Sequence, residues 1–223
     1  MENKVCILST KKLRPGQRQY LLNAGFSVID ADFINVTPRE FNTRKINNCL
    51  IFTSQNALKS FMENKKWADY LDNKTFCVGV NTKKALESVG FIVTASADYA
   101  ADLAKIIIRD YSHERFTFFS GSLRRDVLPV MLDEAGIDFN EFEVYQTILT
   151  PHKINADVDG VLFFSPSGVK SYLKKNKIGK KMCFCIGTTT AEALENTTEN
   201  IAVASRPTLE NVIVKCIKYY KSK

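Results

Sequence analysis

Asp159-Gly160-Val161-Leu162-Phe163-Phe164-Ser165-Pro166-Ser167-Gly168-Val169-Lys170-Ser171-Tyr172 decides how the rest of the chain is read. Four apolar residues in succession, Val161 to Phe164, read as a strand buried on both faces, the habit of parallel sheets. Ser165 has the chemistry of a helix N-cap, and Pro166 suits the first helical position, where a missing N–H costs nothing. Val169, Tyr172 and Leu173 follow at helical spacing and give that helix one apolar face. The stretch is therefore a strand, a tight polar turn and a helix start, with backbone N–H groups directed beyond the turn.

The same pattern occurs a second time. Leu50-Ile51-Phe52-Thr53-Ser54-Gln55-Asn56-Ala57-Leu58-Lys59-Ser60-Phe61 aligns with Val161 to Tyr172, and Ser165 follows Ser54 by 111 positions. Val78 to Leu86 answers Ile186 to Leu194 at a shift of 108. Ala95-Ser96 answers Ala204-Ser205, Ser9 with Ala24-Gly25 answers Ser120 with Ala135-Gly136, and Thr37-Pro38 has its echo in Thr150-Pro151. So many matches in order, at nearly one shift, mark a duplicated α/β unit.

The strand count then fixes an expected topology. Residues 150–223 supply three strands and residues 1–33 supply two, together matching the five expected in residues 48–146. The first segment is expected to fold back with the last, giving a discontinuous domain of residues 1–33 plus 155–223. Residues 48–146 are expected as an inserted domain, with 34–47 and 147–154 as connections. Thr37-Pro38 is expected to break any regular element in the first connection. Alternating strand and helix predicts flavodoxin-like parallel sheets with helices on both faces.

The chain has 223 residues, 45% hydrophobic and 25% charged, as in an ordinary globular protein. No N-terminal stretch reads as a signal peptide and no apolar run reaches membrane-spanning length, so a cytoplasmic protein without membrane partners is expected. The six cysteines sit mostly in apolar strand or helix patterns and read as buried free thiols. Cys183 and Cys185 share a strand face, but His113 and His152 are the only histidines, so a metal site is discarded. A net charge of +7 suggests an anionic partner. The lysines from Lys174 to Lys181 and from Lys218 to Lys223 read as solvated surface. Without a basic helix carrying interleaved aromatics, the chain is not read as a nucleic-acid binder.

Ligands of open α/β sheets sit beyond the carboxyl ends of the strands. The turns expected there are small and polar. In one domain they are Ser9-Thr10, Ser165-Pro166-Ser167-Gly168, Gly187-Thr188-Thr189-Thr190 and Ser205-Arg206-Pro207-Thr208. In the other they are Thr53-Ser54-Gln55-Asn56, Gly79-Val80-Asn81-Thr82, Ser96 and Ser120-Gly121-Ser122-Leu123-Arg124. Any one of them is simply a good helix cap. So many, with almost no Asp, read as anion-binding helix starts. No Gly-x-Gly-x-x-Gly follows the first strand, and there is no P-loop, His-Glu zinc pattern or nucleophile elbow. Chemistry would rest on binding geometry rather than on a strong nucleophile.

The Phe-Thr-Ser-x-Asn-Ala and Phe-Ser-Pro-Ser-Gly-Val turns, Ile186-Gly187-x-Thr189-Thr190-Ala191, the crossing Val144-Tyr145-Gln146-Thr147 and Pro207-Thr208 resemble the uroporphyrinogen-III synthase family. The resemblance covers essentially the whole chain. It implies two flavodoxin-like domains joined by a two-stranded linker, with a substrate cleft between them. It implies a lyase of heme biosynthesis that cyclises hydroxymethylbilane to uroporphyrinogen III, inverting ring D, with no metal and no cofactor. A monomer is expected. The family's candidate tyrosine falls on Tyr145, a weak acid to assist departure of hydroxide; the same residue reads equally as a half-buried ladder aromatic. Propionate and acetate groups are expected at Ser54, Asn56, Ser120, Gly121 and Arg124 in one domain. In the other they are expected at Ser165, Ser167, Gly168, Thr188, Thr189 and Thr190. One departure is Gln55-Asn56, where many relatives carry Pro and a basic or polar residue. The alternative reading is a non-catalytic two-lobed module that senses an anionic small molecule.

Overall fold

A computed structural model describes residues 4–222; the expectations for residues 1–3 and for Lys223 lie outside the described residues. The chain begins β1 (Cys6–Ser9), α1 (Pro15–Asn23), β2 (Ser27–Asp30), β3 (Ile34–Pro38), β4 (Cys49–Phe52) and α2 (Gln55–Phe61). It continues β5 (Lys74–Val78), α3 (Val80–Ser88), β6 (Val93–Ala97), α4 (Ala100–Asp110), β7 (Phe116–Gly121), α5 (Val127–Glu134) and β8 (Phe139–Leu149). The last third is β9 (Gly160–Phe163), α6 (Pro166–Leu173), β10 (Met182–Cys185), α7 (Thr188–Glu192), β11 (Ile201–Val203) and α8 (Leu209–Lys221).

These elements make two compact units. One comprises the described part of Met1–Asn35 with Ile148–Lys223, and the other is Val36–Thr147. The first holds a five-stranded sheet in the order β11-β10-β9-β1-β2, and the second a six-stranded sheet in the order β3-β8-β7-β4-β5-β6. The ladders joining β2, β1, β9, β10 and β11 run parallel, as do those joining β8, β7, β4, β5 and β6. Read across space, β2-β1-β9-β10-β11 and β8-β7-β4-β5-β6 follow the same path, the flavodoxin-like arrangement. Along the chain they differ, because the second unit begins at β4 and reaches β7 and β8 last.

The apolar runs explain why both sheets are covered on two faces. In β4, Leu50 and Phe52 join one cluster with Ala57, Phe61 and Phe119, while Cys49 and Ile51 join another with Leu103, Ile107 and Phe118. In β9, Val161 and Phe163 pack with Tyr172, and Leu162 packs on the opposite side with Val212 and Ile213 of α8. All these residues are buried. Burying such side chains contributes roughly 1.5–3 kcal/mol each before chain entropy is counted. The six cysteines are free, five of them buried and Cys6 half-buried.

Several boundaries differ from the sequence expectation. Residues 34–38 form a strand at the sheet edge rather than an irregular connection, and Thr37-Pro38 lies inside it. An edge strand tolerates proline, since its missing N–H need not serve a ladder. The sheet expected to have five strands has six for that reason. Helix α7 already begins at Thr188, inside the stretch expected as a turn, and runs five residues. No helix among the described residues is long and apolar enough to cross a membrane.

Candidate functional site

The order in which the chain visits each sheet reverses at one place, between β1 and β9 in the first unit and between β4 and β7 in the second. Ligands of open α/β sheets bind outside the carboxyl ends of strands at such reversals. The turns found there are Thr10 and Ser165–Gly168 in one unit, and Thr53-Ser54 and Gly121-Ser122 in the other.

In the second unit these turns close around Tyr145. Strand β8 pairs with β7 in register from Phe116↔Phe139 to Ser120↔Glu143, after which Gly121 pairs with Tyr145 rather than Val144. This bulge re-aims the strand where pairing ends. Tyr145 thereby lays its ring on Gly121: a Cβ built there would stand 2.2 Å from Tyr145 Cζ and 2.6 Å from its hydroxyl. The hydroxyl lies 3.1 Å from Ser54 Oγ, which also accepts the Ala57 N–H at 3.1 Å as the N-cap of α2. Burial raises the Tyr145 pKa above its ordinary value, and the Ser54 hydrogen bond opposes the rise. The phenol is therefore a proton carrier at neutral pH. Ser122 pins the same turn, its N–H donating to the Tyr145 carbonyl at 3.0 Å and its Oγ accepting the Thr147 N–H at 2.9 Å.

Arg124 is held differently from expectation. Its guanidinium engages Glu141 through Nε and, at 2.8 Å, through its second terminal nitrogen, and it also pairs with Asp126. The hydrogen bonds to Glu141, then Asp126, raise its pKa further. These residues line an open groove of about 520 Å³ with Ser120, Gly121, Ser122 and Glu143. Ser120 is buried within β7, and Asn56 is exposed on α2.

In the first unit, Ser165 caps α6 by accepting the Gly168 N–H at 3.1 Å, and its hydroxyl lies 3.0 Å from that of Ser167. Pro166 brings no N–H to this turn. The first turn of α6 thus leaves the backbone N–H groups of Ser165 and Ser167 to donate, fewer than an uncapped helix start would offer. Thr10 lies beside it, its hydroxyl donating to the Leu162 carbonyl at 2.8 Å. In α7, Thr188 is exposed and Thr189 half-buried, whereas Thr190 is buried and its N–H donates to the Gly187 carbonyl at 3.1 Å. The sequence reading included Tyr145 and Ser54 but not their contact. Nor did it include Glu141 or Ser122 as site residues; Ser122 was visible in the quoted turn, while no local pattern announces Glu141.

Charge divides unevenly between the units. Residues 1–35 and 148–223 carry 17 Lys and Arg against 9 Asp and Glu, and residues 36–147 carry 14 against 15. The whole positive excess belongs to the first unit.

Residues 17–213 match a family model described as uroporphyrinogen-III synthase HemD. The chain belongs to the uroporphyrinogen-III synthase family. It is 29% identical over 167 residues to the uroporphyrinogen-III synthase of Saccharomyces cerevisiae, a match covering 61% of this chain and 60% of the yeast protein. Its fold is similar to that of the uroporphyrinogen-III synthetase of Helicobacter pylori, with a TM-score of 0.72, 18% identity and coverage of 97% and 99% of the two chains. A mutant uroporphyrinogen III synthase of Thermus thermophilus gives a TM-score of 0.70 at 14% identity, covering 98% of this chain and all of the other. At such identities the two solved structures speak for the fold, and the family assignment rests on the match across residues 17–213.

Proposed function

We propose that this chain is a uroporphyrinogen-III synthase, a lyase that converts hydroxymethylbilane to uroporphyrinogen III with loss of water and inversion of ring D. The family match over residues 17–213 carries the proposal. The linear tetrapyrrole closes by itself without inversion once hydroxide has left, so the enzyme's task is to choose one folded conformer, a problem of orientation.

Tyr145 is the proposed proton donor. Departing hydroxide is a far stronger base than a phenolate, so even a phenol with a raised pKa transfers its proton downhill. The substrate is a polycarboxylate, and the proposed contacts for its acid groups are Ser54 through its backbone N–H, Asn56, Ser120, Gly121 and Arg124 on the inserted unit. On the other unit they are Ser165, Ser167, Gly168, Thr188, Thr189 and Thr190. Arg124 contributes there by neutralising Glu141 and Asp126 as much as by direct contact. The proposal includes a cytoplasmic monomer whose domains, 1–33 plus 155–223 and 48–146, are joined by a two-stranded linker, and a reaction without metal or cofactor.

The test is a coupled assay from porphobilinogen with the preceding enzyme, separating isomer III from isomer I. Predominantly isomer III is expected; isomer I alone, at the spontaneous rate, would refute the assignment.

A further inference from the structure

We propose that Ser54 is a positioning residue for Tyr145, its hydroxyl donating to the phenolic oxygen so that the phenol keeps its own proton for the substrate. This rests on Tyr145 being the proton donor. Hydrogen-bond capacity permits this direction, and the need to keep the phenolic proton for the substrate selects it. Ser54 Oγ accepts the Ala57 N–H at 3.1 Å, which leaves its own proton to be placed, and the Tyr145 oxygen stands 3.1 Å away. The opposite direction would spend the single phenolic proton inside the protein. An amide donating to a hydroxyl that donates to a phenol is a chain in which each bond polarises the next. The Tyr145 ring lies against Gly121, so the phenolic oxygen is held within reach of Ser54.

The proton inventory closes. The C–O bond of the hydroxymethyl group breaks with its electrons on oxygen, and the Tyr145 proton joins that oxygen to give water. The pyrrole nitrogen lone pair forms the new C=N bond, and the phenolate left behind accepts the Ser54 hydrogen bond. Closure with inversion breaks the existing carbon–carbon bond to ring D and forms two new ones, and the last of these expels the proton from the ring D carbon that carried hydrogen, which restores the phenol. One water is lost overall.

The experiment is a pH titration by NMR of protein labelled with ¹³C-tyrosine, the Tyr145 signal being assigned with Tyr145→Phe. Ser54→Gly removes the hydroxyl, and Gly in place of Ser at an N-cap weakens a helix only slightly. The Tyr145 midpoint is expected about one pH unit higher in Ser54→Gly than in wild type, because the phenolate has lost a donor. Ser54→Thr, which restores the hydroxyl, should recover the wild-type midpoint. In the isomer III assay Ser54→Gly should lower kcat about tenfold with KM nearly constant. The same change in a Tyr145→Phe background should cost less than about twofold. A Ser54→Gly midpoint equal to or below that of wild type would overturn the proposal, as would an undiminished tenfold loss in the Tyr145→Phe background. Wild-type protein that makes no isomer III would sink the function alone, since the titration needs no turnover.

Discussion

The Tyr145 ring occupies the space that a side chain on residue 121 would need, its Cζ lying 2.2 Å from the ideal Cβ position of Gly121. Gly121→Ala must therefore move the ring, and with it the hydroxyl bonded to Ser54. The expected outcome is a loss of isomer III formation at least as large as that of Tyr145→Phe. Overpacking should also cost about 1–3 kcal/mol in stability, read by denaturant unfolding. Wild-type kcat in Gly121→Ala would show that the ring position is irrelevant.

Tyr145→Phe removes one oxygen and keeps the ring on Gly121. Turnover should fall about 100-fold or more, the usual worth of a positioned acid, while stability changes by about 1 kcal/mol for the lost Ser54 bond. Steady-state kinetics beside a melting curve would check both numbers. Full activity would return Tyr145 to the role of a packing aromatic.

Arg124→Ala should act through the acids it leaves behind. Glu141 and Asp126 lose their shared cation in a groove that also holds Glu143. An anionic substrate should then bind more weakly, KM rising about tenfold with kcat less affected. Glu141→Gln added to Arg124→Ala should recover part of that KM. A double variant no better than the single one would mean that Arg124 acts through direct contact alone.

Gly168→Val probes the cap of α6. A Cβ at 168 would stand 3.3 Å from Ser165 Oγ and 3.6 Å from Thr10 Oγ1, and a branched side chain adds bulk at a buried point. Destabilisation of about 1–3 kcal/mol is expected, together with a raised KM. Ser167→Ala, by contrast, should cost about 1 kcal/mol or less in binding. The two variants compared by melting temperature and KM decide the matter; a harmless Gly168→Val would show that the turn yields.

Alkaline pH should lower the stability of the protein in a definite window. Burial pushes the Cys49 and Cys77 thiols to about 11 and Cys183, Cys185 and Tyr172 to about 12, from ordinary values of 9.0 for thiols and 10.0 for tyrosine. Folded-state values above the unfolded ones mean that the unfolded chain releases protons first, so stability declines as pH rises. It should be unaffected by these groups below pH 9, then fall between 9 and 12. Urea midpoints measured at pH 8, 9 and 10 test this, and a midpoint rising over that range would contradict it.

What could be read from residues alone was whatever announces itself locally. Val161 to Phe164 and Leu50 to Phe52 are unbroken apolar runs ended by caps, and each became a strand feeding a helix. Strand β3 escaped because Ile34-Asn35-Val36-Thr37-Pro38 is half polar, ends in proline and lies at a sheet edge, where burial imposes no strong pattern. The Ser54–Tyr145 bond joins residues 91 positions apart, and the Arg124–Glu141 pair depends on strand pairing. No spacing rule predicts such contacts. Tyr145 itself was singled out through the family resemblance, and its seat on Gly121 depends on a bulge that no residue at the position advertises.

The placement of β1 has a consequence for how the chain is made. This strand lies inside its sheet between β2 and β9, yet 150 residues separate Ser9 from Gly160, so it is translated long before its partner β9. The strands from β4 to β8, by contrast, emerge as one uninterrupted run. The inserted unit can therefore close while synthesis continues, whereas β1 and β2 wait with an unpaired apolar edge until the last third arrives. Nascent-chain crowding, chaperone contact and aggregation are thus concentrated on Cys6 to Asp30, the segment that is translated early and completed late.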